Sequence, residues 1–198
     1  MESIKINSKE VLNFLKEIKD NNYIHREGYQ ILPGMFGLSL IEEQTKRPIL
    51  SLDIEFNKSV KYPCELKVEL EESEDKSDFR ISNEEGIIYS GLVTFDDEDD
   101  LELNPFKFFS TYRVGGELLR HSESYFKDGE TGIYLSQGME FHKGENPLNG
   151  NLDFGDISGD RKKKIIPLEY RLGEKILAKG TSRVRPITKK LLERRLLK

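Results

Sequence analysis

The chain has 198 residues, of which 36% are hydrophobic and 34% charged, and its formal net charge is −5. Eleven Phe and eight Tyr exclude a disordered chain, and the length admits one large domain or two small fused ones. The single cysteine, Cys64, excludes an internal disulfide and a cysteine-rich metal site, and it fits a reducing compartment.

The N-terminal sequence and the hydropathy predict a soluble, cytoplasmic protein. Residues 1–6 do not have the pattern of a signal peptide. No apolar run approaches the roughly 20 residues that a membrane span requires. We therefore expect the protein to have no membrane partner.

Two helices and four strands are predicted in the first half of the chain. Residues 8–19 form an amphipathic helix, with Ser8 at the N-cap position and apolar residues repeating on one face. After a polar loop at 20–28, a second and mostly apolar helix begins near Gly34 and runs to about residue 44. Four strand-like stretches follow: 49–56, 64–71, 78–82 and 86–95.

The same order restarts after the acidic run at 96–100, which we interpret as a linker. A helical segment at 104–112 comes first, and a further helix runs from the break at Gly115 and Gly116 to about residue 126. Four strands and a basic C-terminal helix complete the prediction: 132–141, 152–158, 164–172, 175–185 and 188–197.

Short sequence matches support an internal duplication. Glu-Phe-x-Lys at 55–58 recurs at 140–143, which is 85 positions further along the chain. We call this distance the repeat offset, and we call two residues separated by it counterparts. The segments 89–91 and 178–180 fall in comparable hairpins of the two halves. The matching order, a helix followed by about four antiparallel strands, makes duplication the favoured interpretation.

One long helix and a sheet to wrap it in each half is the hotdog pattern, so we predict an α+β double hotdog fold. The first hotdog unit covers 1–96, the second covers 101–187, and a basic helix covers 188–198. Because a tandem pair contains its own pseudo-dimer, the protein is expected to be a monomer or a homodimer.

The net charge is unevenly distributed along the chain. Residues 160–198 hold 14 Lys and Arg against 4 Asp and Glu, whereas the remainder holds 17 against 32. The basic segment has no recognised nucleic-acid motif, and Lys179, Arg183 and Arg185 are spaced as on the outer face of a strand. We predict a solvated surface without a nucleic-acid partner; contact with an acidic carrier or a phosphate-bearing ligand is the alternative.

The loop after the first helix contains the pattern D-x-N-x-x-H, formed by Asp20, Asn22 and His25. Together with the preceding helix and the segment 32–36, this loop resembles the MaoC-like (R)-specific enoyl-CoA hydratases and dehydratases. The resemblance covers roughly residues 6–95. It implies that Asp20 and His25 are catalytic, that Asn22 is the loop asparagine, and that the Gly34 N–H faces the thioester carbonyl.

The chemistry explains why such residues are needed. Hydration of a 2-enoyl thioester moves a proton to C2 and a hydroxyl to C3, and a carboxylate and an imidazole can hold the water and exchange protons with it. Negative charge develops on the thioester oxygen, which a helix N-terminal N–H stabilises. This set of groups requires no metal and no cofactor.

The short spacing between His25 and Gly34 resembles that of bacterial 3-hydroxyacyl-[acyl carrier protein] dehydratases. Those enzymes carry a catalytic acid five residues after the glycine, a place that Ser39 occupies here. The second half lacks D-x-N-x-x-H and is interpreted as a degenerate repeat. Its Glu117 and His121 lie on a predicted helix that could face His25, so these two residues and Ser39 are secondary candidates.

The function that the resemblance implies is a hydro-lyase acting on acyl thioesters of CoA or acyl carrier protein, in either direction. A hotdog thioesterase is one alternative, with a carboxylate activating water against the thioester carbon. A non-catalytic module that binds acyl thioesters or proteins is another. Asp and Asn after a helix are also ordinary turn formers, which is the purely structural interpretation of the motif.

Overall fold

The structure is a computed structural model that describes residues 2–18, 20–26, 28–45, 49–95, 126–127, 129–142, 149–160 and 162–196. Within these residues, ten strands form one antiparallel sheet, accompanied by three α-helices and a 3₁₀-helix at Tyr23–His25. The strands are β1 Glu2–Ile6, β2 Ile49–Phe56, β3 Cys64–Glu72, β4 Lys76–Asn83, β5 Gly86–Phe95, β6 Glu130–Phe141, β7 Asn151–Phe154, β8 Ser158–Gly159, β9 Lys164–Leu172 and β10 Lys175–Thr188. The α-helices are α1 Ser8–Glu17, α2 Gly34–Thr45 and α3 Lys189–Leu196.

Helix α1 begins one residue earlier than its predicted cap implies. The N-cap is Asn7, and Ser8 is the first helical residue, so the prediction of Ser8 at the cap was wrong. The Asn7 side chain accepts from the Glu10 N–H at 3.0 Å, and the Glu10 carboxylate accepts from the Asn7 N–H at 2.9 Å. This reciprocal capping box satisfies two donors at the helix start, which a serine one position later does not do. The buried face of α1 consists of Val11, Phe14 and Leu15.

Helix α2 is the central helix of the first half, and it begins at Gly34 as predicted. Leu38 and Ile41 are completely buried, and most of the remaining side chains of α2 are buried as well. A helix that is apolar around its circumference must be enclosed by other elements. Here the strands of the first half enclose α2, which is the arrangement that defines a hotdog unit.

The sheet order divides into two halves that meet between β2 and β6. Along the sheet the order is β1-β3-β4-β5-β2-β6-β10-β9-β7, with β8 beside β9. The structure therefore confirms the predicted double hotdog. Strand β1 was not predicted from the sequence, and the stretch predicted at 152–158 is divided into β7 and β8, which pair with different parts of β9.

The pairing of β2 with β6 shows the internal symmetry directly. Asp53 pairs with Gly138, and these two residues are also counterparts at the repeat offset. On either side, Leu52 pairs with Met139 and Ile54 pairs with Gln137. In the paired stretch from Ser51 to Glu55, each β2 residue therefore lies opposite the counterpart of another β2 residue. The pseudo-twofold axis passes through the Asp53–Gly138 pair.

The irregularities of the sheet also recur at the repeat offset. The β2–β5 ladder has a bulge at Leu50, and the β6–β10 ladder has one at Leu135, which is the counterpart of Leu50. A bulge adds one unpaired residue and is a position-specific feature of a strand. Its recurrence at equivalent positions supports duplication more strongly than the short sequence match does.

One glycine in each half is required for the same structural reason, a close approach of a neighbouring backbone. A Cβ at Gly91 would lie 1.9 Å from the carbonyl oxygen of Asp53, and a Cβ at Gly180 would lie 2.5 Å from that of Gly138. Asp53 and Gly138 are themselves counterparts. The close backbone approach beside the pseudo-twofold axis therefore excludes a side chain on both sides.

The hydrophobic core is continuous across the two halves, and includes Ile54 of β2 and Met139 of β6. The predicted linker at 96–100 and the predicted second-half helices at 104–126, except for residue 126, lie outside the described residues. The unit boundaries at 1–96, 101–187 and 188–198 stay a prediction. No helix within the described ranges is both long and apolar enough to cross a lipid bilayer.

Candidate active site at the loop between α1 and α2

The loop between α1 and α2 is held in shape by its own Asp and Asn side chains. The Asp20 carboxylate accepts a hydrogen bond from the Asn22 N–H at 2.7 Å. The Asn22 side chain in turn accepts from the Ile24 N–H at 3.3 Å and caps the 3₁₀-helix that carries His25. This local bonding explains the spacing of D-x-N-x-x-H, because each polar residue fixes the backbone two residues further on.

All three residues of the motif are buried, with exposed fractions of 5% for Asp20, 9% for Asn22 and 9% for His25. Asp20 Oδ2 lies 3.7 Å from His25 Nε2. A turn former on a solvated loop has no need of such burial. The burial therefore distinguishes this loop from an ordinary turn.

The tautomer of His25 follows from its hydrogen bond. Its Nδ1 lies 2.7 Å from the carbonyl oxygen of Ile31, which can only accept, so Nδ1 carries the proton of the neutral ring. The unprotonated Nε2 then faces Asp20 Oδ2. The Tyr62 hydroxyl donates to the main-chain carbonyl of His25 and holds this end of the loop.

Burial shifts the titration of both groups toward their neutral forms. Desolvation raises the pKa of Asp20, against the attraction of His25 and the hydrogen bond from Asn22, which lower it. Desolvation likewise lowers the pKa of His25, against the attraction of Asp20 and the Ile31 bond. A neutral imidazole beside a carboxyl of raised pKa is an arrangement suited to proton exchange near neutral pH.

Gly34 is the first residue of α2, where N–H groups have no partner within the helix. A Cβ at this position would lie 2.8 Å from Cε1 of Phe56. The Phe56 ring is held in turn by edge contacts with Tyr89 and Tyr134, at centroid separations of 5.9 and 6.0 Å. The absence of a side chain at Gly34 thus lets the aromatic cluster approach the helix start.

A cavity of about 370 Å³ brings these groups together. Asp20, Asn22, His25 and Gly34 line it from the first half. The second half supplies the opposite wall from β6, β10 and α3, and includes Ile133, Tyr134, Val184, Arg185 and Leu192. The candidate site is therefore built from both halves, although the motif is in one.

Of the remaining predicted site residues, the structure describes Ser39 alone, and Ser39 is not part of this cavity. The Ser39 hydroxyl donates to the Phe36 carbonyl at 2.7 Å within α2, and Ser39 does not line the cavity. Glu117 and His121 lie outside the described residues. Among the residues that the structure describes, no group of three or more His, Cys, Asp or Glu side chains is placed to hold a metal ion.

Sequence reasoning missed the contribution of β6. The Asn22 side chain donates to the Thr131 hydroxyl at 3.4 Å and so connects the loop to the second half. Tyr134, on the same strand, reaches the cavity beside Asp20. The repeat contained a signal for Tyr134, because its counterpart at the repeat offset is the apolar Ile49.

Comparison of the sequence with protein-family models and with curated proteins yields no match. The fold matches solved structures. The dehydratase domain of PpsC from Mycobacterium tuberculosis, solved in complex with C12:1-CoA, has 7% identity and a TM-score of 0.57, with 93% of this chain and 92% of that one covered. HtdX from the same organism has 11% identity and a TM-score of 0.55, with 92% and 98% covered.

A TesB protein from Mycobacterium avium subsp. paratuberculosis has 9% identity and a TM-score of 0.50, with 89% of this chain and 99% of that one covered. Identities this low establish shared architecture and leave the reaction to be argued from the site. The chain therefore has the double hotdog fold, in common with structures that include dehydratase domains and a TesB protein.

Proposed function

We propose that this protein is a hydro-lyase that hydrates a 2-enoyl thioester or dehydrates an (R)-3-hydroxyacyl thioester of CoA or acyl carrier protein. The observation that carries the proposal is the buried Asp20–His25 pair, which shares one cavity with the N-terminus of α2 at Gly34. An acid–base pair and an oxyanion donor in one enclosed space are the groups that this reaction needs.

In the hydration direction, one water molecule is held between Asp20 Oδ2 and His25 Nε2. His25 takes a proton from the water as the oxygen bonds to C3, and Asp20 stabilises the imidazolium that forms. The electron pair of the double bond shifts toward the thioester oxygen, which the Gly34 N–H stabilises. The proton then passes from His25 to C2, so one water is added and both residues return to their starting states.

Single substitutions at the pair test the proposal. Asp20→Asn and His25→Ala should each lower kcat on crotonyl-CoA and longer 2-enoyl-CoA substrates by about 100-fold or more, the usual contribution of a general acid–base group. Ser39→Ala is the control, because its hydroxyl bonds within α2 and does not line the cavity. Wild-type turnover in both site variants would overturn the assignment of these residues.

The products distinguish the proposal from the other reactions of acyl thioesters. Hydration consumes the enoyl absorbance and yields a 3-hydroxyacyl-CoA without release of free thiol. Release of free CoA from acyl-CoA, with no 3-hydroxy product, would identify a thioesterase instead. Tight binding without turnover across a panel of enoyl thioesters would identify a binding module.

A further inference from the structure

The Tyr134 side chain carries a buried polar group that the proposed chemistry has not yet used. Its hydroxyl is buried, and among the described residues it has no hydrogen-bond partner. Tyr134 lines the same cavity as Asp20 and Gly34, but it lies on β6 of the second half. A buried hydroxyl without a partner destabilises a fold, so its retention on a residue that lines a cavity points to a ligand.

Two contacts fix the position of Tyr134 relative to the site. Its ring meets Phe56 edge-on at a centroid separation of 6.0 Å, and Phe56 in turn covers the space beside Gly34. Three residues earlier on β6, Thr131 accepts the hydrogen bond from Asn22 and so connects this strand to the motif loop. The tyrosine is therefore held between the start of α2 and the loop that carries Asp20.

The hydroxyl is available as a donor. Burial raises the pKa of Tyr134, and the negative charge of Asp20 raises it further. Tyr134 thus stays protonated throughout the neutral pH range.

Packing alone does not require a hydroxyl at this position. The counterpart of Tyr134 across the pseudo-twofold axis is Ile49, which is 1% exposed and part of the core. An apolar side chain therefore satisfies the equivalent sheet position in the first half. The hydroxyl therefore distinguishes the second half, on a residue that lines the cavity.

We infer that the Tyr134 hydroxyl donates a hydrogen bond to the oxygen at C3 of the acyl chain, the oxygen that the reaction adds or removes. This inference rests on the proposed function and makes Tyr134 a third catalytic residue, contributed by the second half. The thioester carbonyl is the other substrate oxygen, and it is assigned to the Gly34 N–H.

In the dehydration direction, a proton leaves C2 and the oxygen leaves C3. His25 Nε2 takes the proton from C2, the double bond forms between C2 and C3, and the C3–O electron pair leaves with the oxygen. Tyr134 donates to this oxygen while it gains negative charge, and the His25 imidazolium then delivers the proton that completes water. The tyrosine keeps its own proton, so no other reactant is needed.

Tyr134→Phe tests the inference because it removes the hydroxyl and keeps the ring against Phe56. We expect kcat/KM on crotonyl-CoA to fall by about 10- to 100-fold, as for loss of one hydrogen bond to developing charge. The Tm should stay unchanged or rise, because the hydroxyl has no partner within the described residues. Tyr89→Phe is the matched comparison for stability: its hydroxyl donates to the Pro33 carbonyl at 3.4 Å, so its loss should lower the Tm.

Ligand affinity separates this inference from the proposed function. In an Asp20→Asn background, which is expected to block turnover, (R)-3-hydroxybutyryl-CoA should bind about 5-fold or more tightly than butyryl-CoA, the effect of one hydrogen bond. Adding Tyr134→Phe should remove that preference. If Tyr134→Phe instead keeps wild-type turnover and the preference, the inference is wrong while the hydro-lyase assignment stands.

Two further outcomes are also decisive. The first is that Tyr134→Phe removes the preference for the hydroxyacyl ligand but the wild-type protein turns over no enoyl thioester. This result would support the oxygen-binding site at Tyr134 and reject the proposed reaction. A Tm that falls on loss of the hydroxyl would show a structural partner and overturn the inference. If Tyr134→Phe fails to fold, Tyr134→Ile, which copies the side chain of Ile49, is the replacement variant for both measurements.

Discussion

His25 Nε2 lies 3.7 Å from Asp20 Oδ2, while the other ring nitrogen of His25 is committed to the Ile31 carbonyl at 2.7 Å. The two contacts together orient an unprotonated nitrogen toward a buried carboxyl group. The separation between Nε2 and Oδ2 exceeds that of a direct hydrogen bond, so a shared water can be held at an angle by both groups. This separation fits the shared water of the proposed reaction.

The stability of the protein should fall as the pH decreases below about 6.5. Burial lowers the pKa of His25 from its ordinary value of 6.5, so the unfolded chain binds a proton here at a higher pH than the folded chain does. The stability contributed by the neutral ring is present above 6.5 and is lost as the pH falls toward the folded pKa. Denaturant melts of wild type and His25→Gln across this range measure the effect.

The control for this pH dependence is His142→Gln, because His142 is exposed just after the end of β6. It should keep the wild-type change of stability with pH, whereas His25→Gln should reduce that change. An identical pH dependence in wild type and His25→Gln would assign the effect to other groups.

Asp20→Asn should raise stability while it abolishes turnover. Burial raises the pKa of Asp20 above its ordinary value of 3.8, so the folded state disfavours the carboxylate, and stability is lost as the pH rises through the folded pKa. Asparagine keeps the oxygen that accepts from the Asn22 N–H and removes the charge. We expect a gain of about 1 kcal/mol at neutral pH, the pattern of a stability–activity trade-off.

Thermal melts and turnover assays of the same preparation check this result. Asp78→Asn on β4 is the control, because Asp78 is exposed and its replacement should change stability by at most about 0.5 kcal/mol. A destabilised Asp20→Asn would mean that the carboxylate contributes more through its contacts than its burial costs.

Gly34→Ala should impair both folding and catalysis. The added Cβ would lie 2.8 Å from Phe56 Cε1, and overpacking of this kind destabilises by about 1–3 kcal/mol. Displacement of Phe56 also disturbs the cavity wall beside the helix start, so kcat should fall. Phe56→Leu in the same chain should restore part of the stability by removing the ring that the new Cβ meets.

Gly37→Ala is the matched variant on the same helix. Its Cβ would lie 2.6 Å from Tyr89 Cδ2, so a similar loss of stability is expected. Tyr89 lines the cavity as Phe56 does, but Gly37 lies beyond the start of α2, which we assign to the thioester oxygen, so Gly37→Ala should lower kcat less than Gly34→Ala does. Equal losses of kcat in the two variants would assign the effect to helix packing instead of the oxyanion site.

Neutralising the exposed basic residues of α3 should weaken substrate binding. Leu192 lines the cavity and packs against Ile24, so α3 lies beside the site, and Lys190 and Arg194 are exposed on it. The double variant Lys190→Gln with Arg194→Gln should raise KM for an acyl-CoA by about 3- to 10-fold at low salt and leave kcat unchanged. The reason is that exposed charges act mainly on the rate at which a charged ligand associates with the protein. The increase should diminish as the salt concentration is raised.

The control for the α3 charges is Lys179→Gln, which removes a charge on β10 that is paired with Glu140 at 3.0 Å. This variant should leave KM unchanged. If the α3 variant also leaves KM unchanged, the basic segment serves solvation only.

Much of the fold could be predicted because its signals are local. The apolar periodicity of α1, the apolar run of α2 and the strand patterns of β2 and β5 depend on neighbouring residues. Strand β1 was missed because so short a strand carries little periodicity, and its pairing with β3 joins segments that are distant in the chain, such as Ile4 and Leu66. Register of this kind depends on contacts between distant segments, which periodicity does not encode.

Some residues of the candidate site could be identified from the sequence, whereas others were found only in the structure. Asp20, Asn22 and His25 were identified from the sequence because their pattern resembles that of a known family. The structure adds that three of the hydrogen bonds that shape this loop are local, joining residues two to six positions apart. The role of Ser39 was open until its hydroxyl was found bonded within α2. Tyr134 and Asp20 belong to different halves of the chain, and the folded sheet brings the two to one cavity.

The residues alone favour a duplicated chain, and they predict a buried helix in the first half and a polar loop before that helix. These properties depend on offsets and periodicities along one chain. The burial of Asp20 and the wall supplied by β6 are seen only in the folded chain, in which the two halves join at Asp53 and Gly138. Desolvation and cavity shape are properties of surfaces in contact, and those contacts arise only when distant segments pack.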